Sequence, residues 1–60
     1  MRKKNTLDLR EGEHFWFKGK EFVVEEEESI GCVARVVEPD EEWVGDRGYL
    51  FAAEVVEVER

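Results

Sequence analysis

The sequence predicts an all-β fold, namely a small barrel of five or six short strands in a single domain. Short runs of aromatic and β-branched residues alternate with polar ones, and glycine-containing turns separate these runs at close spacing. The 60 residues are too few for more than one core. Closure into a barrel is expected because it protects the edges of so small a sheet.

The N-terminal segment 1–6 is basic and has no apolar anchor, so we expect it to be flexible. The single domain is expected to span 7–60. Leu7 and Leu9 alternate with polar neighbours, which predicts a short first strand that ends before Gly12.

A β-hairpin is predicted next. In a strand, Phe15 and Phe17 share one face, while His14 and Trp16 share the other. The first pair is predicted to face the core and the second to lie on the partly solvated side.

The segment 18–20 (Lys-Gly-Lys) has the length and the glycine of a tight turn, after which Phe22 and Val24 are expected to point inward. Four consecutive glutamates at 25–28 disfavour a continued ladder. They predict a solvated loop or an exposed strand end.

Small and apolar residues recur at every second position from 32 to 36, which predicts a strand with one fully buried face. Pro39 lacks a ladder donor and is followed by three acids, so the chain should turn there. We expect the core to form where four residues meet: Phe17, Phe22, Ala34 and Val36.

The C-terminal third is predicted to contain several short elements. A short apolar return at 43–44 leads through a turn at 45–48 to a strand at 49–51. Segment 52–54 lacks β-branched residues and predicts one short helical turn, after which 55–58 resumes extended structure.

The order of these features resembles Src-homology-3 domains over about residues 13–58. Segment 15–22 is similar to the stretch around that family's Lys/Gly turn, and 34–36 to its central Ala-Arg-Leu strand. Segment 45–50 resembles its glycine-rich turn, and 52–58 its helical turn and closing strand. The resemblance implies a barrel of the small type found in bacterial or phage proteins.

Three positions depart from the family pattern. The family's groove for proline-rich peptides is lined by a Trp, a Pro and a Tyr. Here the corresponding residues are Gly31, Phe51 and Glu54. The resemblance therefore implies the barrel without the proline-rich ligand, and the fold alone names no function.

The charge distribution limits the classes of partner. The formal net charge is −7, and because the first six residues carry three cations and no acid, positions 7–60 carry −10. A surface of this sign repels nucleic-acid phosphates and attracts basic proteins. No apolar window is long enough for a membrane span, and no export signal is visible, so a soluble cytoplasmic protein is expected.

The sequence contains no recognisable combination of side chains for catalysis, cofactor binding or metal binding. His14 has no companion base or ligand, Ser29 has no base, and Cys32 is expected to be an inert buried thiol. The acidic run 25–28 lacks the alternating ligands and sharp glycine turn of a calcium loop. The two glycines of 45–48 fit a turn and not a phosphate loop.

The aromatic residues allow two interpretations. They fill the core of a very small domain, or Trp16 joins Trp43 in an exposed patch rimmed by acids, which is typical of a binding hot spot. The candidate partner-binding residues are Trp16, Trp43, Glu25, Glu26, Glu27 and Glu28.

The leading functional hypothesis is a non-enzymatic interaction module, or a small accessory or inhibitor protein, that docks on a basic protein partner. Mimicry of DNA by the acidic surface is an extension of this hypothesis. The first alternative is a nucleic-acid-binding barrel that uses the basic N-terminus and Trp16. The second is a structural subunit of a homo-oligomer; a monomer or weak homodimer is expected.

Overall fold

The structure is a computed structural model and describes residues 2–59. It confirms the all-β prediction, since six strands form one antiparallel sheet with a single short 3₁₀ turn. The strands are β1 (Lys3–Asn5), β2 (His14–Phe17), β3 (Lys20–Glu28), β4 (Gly31–Val36), β5 (Tyr49–Ala52) and β6 (Val55–Glu57).

The order of strands in the sheet is β1-β6-β2-β3-β4-β5, so β1 and β5 are its edges. The predicted closure into a barrel is wrong for residues 2–59, because no ladder joins these two edges. Buried Thr6 spans the gap instead. Its hydroxyl donates to the Phe51 carbonyl (2.9 Å) and accepts from the Glu54 amide (3.1 Å). Point contacts therefore replace a continuous ladder.

The N-terminal segment corrects two sequence-based expectations. Lys3–Asn5 forms a strand that pairs with β6, where none was predicted, and Met1 lies outside the described residues. The expected strand at Leu7 and Leu9 is wrong, because Thr6–Asp8 forms the 3₁₀ turn, capped by the Asn5 side chain. In that geometry Leu9 is buried in the core while Leu7 remains half-exposed.

The hairpin between β2 and β3 is confirmed. Lys18 and Gly19 both have positive φ (51° and 78°), the backbone of a two-residue type I′ turn whose twist matches that of the flanking strands. Phe15 and Phe22 form a cross-strand pair within it. Their rings stack at 5.4 Å, and both side chains are fully buried.

The core lies on the inner face of the sheet, where the predicted alternation is confirmed. Phe51 packs edge-on against both Phe15 and Phe22, with ring centroids 5.0 Å apart. Of the four predicted core residues, three are buried and Phe17 is half-buried against them. The buried apolar residues are Leu9, Phe15, Phe22, Val24, Cys32, Ala34, Val36, Phe51 and Val56.

The predicted helical turn at 52–54 is wrong. Strand β5 runs to Ala52, and Ala53 takes a left-handed backbone conformation (φ 51°) in the short link to β6. Thr6 holds this link, because its backbone amide donates to the Glu54 carbonyl at 2.8 Å. A long-range contact therefore determines the conformation here.

Candidate functional site

The outer face of the sheet places Trp16 between two glutamates. Trp16 pairs directly with Glu21 of β3 on one side and with Glu57 of β6 on the other. Side chains of directly paired residues lie on the same face, so a half-buried indole is flanked by two carboxylates. Trp16 therefore lies on the acidic side of the sheet, and its predicted role in partner binding stays a prediction.

A β-bulge at Glu25 determines where the acidic run points. Val24 pairs with buried Ala34, but the next pair is Glu26 with Val33, so Glu25 is the extra residue. From this pairing, Glu26 and the residue two positions on, Glu28, lie on the outer face.

Strand β3 continues through the glutamate run as an exposed strand end, which was one of the two predicted outcomes. Glu27 pairs with Cys32, whose side chain faces inward, so Glu27 lies on the inner face of the sheet. Its side chain is nevertheless exposed. We use the name acidic outer face for Trp16, Glu21, Glu26 and Glu28.

Cations neutralise only part of this acidic surface. The Arg35 guanidinium lies 2.7 Å from Glu25 through Nε and donates to the Gly45 carbonyl through Nη1 (2.9 Å). The hydrogen bond and charge of Glu25 raise the pKa of Arg35. Glu26, Glu27 and Glu28 form no ion pair with any described residue.

Trp43 lies on the other side of the sheet. Its ring packs edge-on against Phe22 (5.1 Å) and Phe17 (6.4 Å), both of which face inward. Trp16 is adjacent to Phe17 in β2 and therefore points to the opposite face of the sheet. Since Trp43 packs on the face of Phe17, the two tryptophans do not form one patch. The interpretation that places both tryptophans in one exposed patch is therefore wrong, and Trp43 packs against the core.

Asp40 fixes the loop that carries Trp43. Its Oδ1 accepts from the amides of Glu42 (2.9 Å) and Trp43 (2.8 Å), and its Oδ2 lies 2.5 Å from the Lys20 ammonium. The hydrogen bond from Lys20, followed by that from the Trp43 amide, lowers the pKa of Asp40. The same contact raises the pKa of Lys20.

The lowered pKa of Asp40 predicts a pH-dependent difference between the wild type and Asp40→Asn. Asparagine keeps the Oδ1 acceptor but removes the charge that pairs with Lys20. A carboxyl whose folded-state pKa lies below its ordinary 3.8 stabilises the fold above that value, and loses this contribution as the pH falls through the folded-state pKa. We expect the wild type to be the more stable at pH 7 and the difference to shrink below about pH 4.

Urea denaturation from pH 7 to pH 2.5 measures this difference. Glu41→Gln is the control, since Glu41 is exposed in the same loop and has no ion pair among the described residues. A wild-type advantage over Asp40→Asn that is the same at all pH values would contradict the assignment.

A groove of about 310 Å³ forms the second candidate surface. Trp43 and Tyr49 pack edge-on at one side (5.0 Å), and the Tyr49 hydroxyl accepts from the Val44 amide at 2.7 Å. We call it the aromatic groove. It is lined by Phe17, Trp43, Tyr49, Leu50, Phe51, Ala52 and Glu54.

Sequence reasoning assigned no binding role to most groove residues. Leu50, Ala52 and Glu54 carry no local motif, and they line a groove only because the fold brings β5 beside Phe17 of β2 and the loop that carries Trp43. The mixed aromatic and aliphatic composition of 49–52 was the only available signal.

The reactive side chains are arranged as follows. His14 Nδ1 lies 2.7 Å from Glu21 Oε2 in an exposed pair. Cys32 is fully buried, and burial raises the pKa of its thiol, so it packs as a small hydrophobe.

Across residues 2–59, no three His, Cys, Asp or Glu side chains converge to hold a metal ion, and no helix has the length and apolarity to cross a membrane.

The sequence and the structure were compared with protein-family models, with curated proteins and with solved structures. None of the three comparisons gives a match to this chain.

Proposed function

We propose that the chain is a non-enzymatic interaction module that docks on a basic protein partner through the acidic outer face. The observation that carries the proposal is the position of Trp16 between Glu21 and Glu57, on the same face as further carboxylates of β3. An aromatic anchor with a charged rim is typical of interface hot spots.

The size of this surface suits a protein partner. From Glu21 to Glu28 strand β3 advances about 23 Å, at roughly 3.3 Å per residue. Carboxylates spread over this length steer a basic partner and set its orientation, while the half-buried indole supplies apolar contact area. Charge provides selectivity for basic partners, and Trp16 provides affinity.

The cations of the chain support a basic partner over nucleic acid. Three of the groups that a nucleic-acid surface would use are paired with carboxylates: Arg2 with Glu59 (3.6 Å), Lys4 with Glu13 (3.8 Å) and Lys20 with Asp40. Release of counterions from phosphates requires free cations on one face. Trp16 is moreover flanked by acids, which disfavour a stacked nucleotide.

We further propose that the sheet is an open relative of the Src-homology-3-like barrel. Its support is that the Lys/Gly turn at 18–19 joins two strands, that Ala34 lies in a buried central strand, and that the turn at 45–48 leads into β5. The narrower role of an accessory or inhibitor protein that mimics DNA is supported by the exposed glutamates of β3 alone.

The proposed function is tested by reversing two charges at the site and two elsewhere. The site variant is Glu26→Lys with Glu28→Lys, and the matched control is Asp8→Lys with Glu41→Lys. All four residues are exposed, and each double reversal changes the net charge from −7 to −3. Proteins retained by the wild type from source-cell lysate are identified, and their affinities for the three purified forms are measured.

We expect the site variant to lose about tenfold in affinity at about 0.15 M salt, and the control to lose much less. Trp16→Ala should cost about thirtyfold if the indole is the anchor. Equal losses in the two reversal variants would show that general acidity, and not this face, governs binding, and retention of full affinity by both would exclude the proposal.

A further inference from the structure

The free edge of β5 faces the aromatic groove. Within residues 2–59, β5 is a terminal strand whose only strand neighbour is β4. Tyr49 and Phe51 point toward the core side, and Leu50 and Ala52 have the opposite parity, yet all four line the groove. Residues that point to opposite faces of a strand can border the same groove only where the edge of that strand forms a wall of the groove.

We propose that this groove binds an extended segment of a partner protein, which pairs antiparallel with β5 as a seventh strand. A strand edge that leaves backbone donors and acceptors without a neighbouring strand is a template for such pairing, and adjacent pockets select alternate side chains. Here the aromatic lining supplies the pocket. All the strand pairs of the sheet are antiparallel, which sets the direction of the added strand.

Both ends of the groove are held by contacts already in place. At one end Thr6 bonds to the backbone of Phe51 and Glu54. At the other end the Val44 amide donates to the Tyr49 hydroxyl. The Phe51 carbonyl is thus already engaged, and the added strand uses the remaining groups of the edge. A site fixed in this way loses little conformational entropy on binding.

Charges at the groove determine the chemistry of the segment. The Arg47 guanidinium lies 5.5 Å from the Tyr49 ring centroid, just before β5 begins, and Glu54 lines the groove just beyond its end. The groove is therefore positive near the start of β5 and negative near its end.

An antiparallel segment complements this polarity when a basic residue comes first and an acidic residue last, since its N-terminal end lies beside Glu54. The residues between them alternate apolar and polar, so that one set contacts the aromatic rings. A second copy of this chain is the weaker candidate, because both copies carry a net charge of −7. The inference is independent of the acidic outer face, which lies on the other side of the sheet.

Two capped octapeptides test the inference. One begins with lysine and ends with glutamate, with valine and threonine alternating between them; the other has the lysine and glutamate exchanged. Two-dimensional NMR measures affinity and the amide exchange rates of β5. The protein variants are Arg47→Glu with Glu54→Arg, which inverts the polarity of the groove, and Glu26→Lys with Glu28→Lys, which leaves the groove unchanged.

We expect the lysine-first peptide to slow amide exchange in β5 and to bind about three- to tenfold more tightly than its counterpart. The inverted variant should reverse this preference, and the outer-face variant should retain it. The inference is overturned by unchanged exchange with both peptides, by equal affinities, or by loss of binding in the outer-face variant. Slower exchange in β5 with rising protein concentration and no peptide would identify a second copy as the occupant, and also overturn it.

Discussion

Replacing Phe22 with alanine is expected to remove about half or more of the free energy of unfolding at 25 °C. Phe22 is fully buried, and its ring contacts those of Phe15, Phe51 and Trp43 at 5.0 to 5.4 Å. Removal of a buried phenylalanine ring costs about 3–5 kcal/mol. A 60-residue domain has a total free energy of unfolding of only about 3–9 kcal/mol, at roughly 0.05–0.15 kcal/mol per residue.

Urea denaturation followed by circular dichroism measures the effect. Leu50→Ala is the matched control, because Leu50 lies in the same sheet but is 55% exposed, and its loss should cost about 0.5 kcal/mol or less. If Phe22→Ala destabilised the protein no more than Leu50→Ala does, the proposed core would be wrong.

Replacing Gly31 with alanine is expected to be nearly as damaging. Gly31 is buried at the start of β4, where it pairs with Ala52 of β5. A Cβ at this position would lie 1.8 Å from the Phe51 carbonyl oxygen, a backbone atom that no side-chain rotation can move. Relief of the clash must separate β4 from β5, at a cost of about 3 kcal/mol.

The same denaturation experiment tests this variant, with Ser29→Ala in the preceding turn as the control. Ser29 is exposed, so its hydroxyl should contribute about 0.5 kcal/mol or less. Because β5 forms a wall of the aromatic groove, Gly31→Ala should also broaden the NMR signals of residues 49–52. A stable variant with unchanged β5 signals would show that the two strands pack less closely than described.

Much of the central sheet could be predicted from sequence because its signals are local. The Lys18-Gly19 turn needs only residues that tolerate positive φ. The inward direction of Phe22 and Val24, and of the alternate residues in 32–36, follows from the two-residue period of a strand. The outward direction of Trp16 follows from the same rule.

The elements that sequence analysis missed depend on long-range contacts. Lys3–Asn5 is polar and becomes a strand only because β6 lies beside it. Ala53 adopts a conformation that its own sequence disfavours, since Thr6 fixes the neighbouring Glu54. The separation of the two tryptophans depends on the loop that carries Trp43, which Lys20 and Asp40 hold in place.

The bulge in β3 falls within a run of four glutamates. A bulge at any of these positions would therefore expose the same kind of side chain. In most strands a shift of one residue exchanges the side chains of the two faces and destroys a surface. Here, migration of the extra residue along 25–28 would still present a glutamate at every outward position. The surface charge of this strand end would therefore stay the same if the register slipped by one residue.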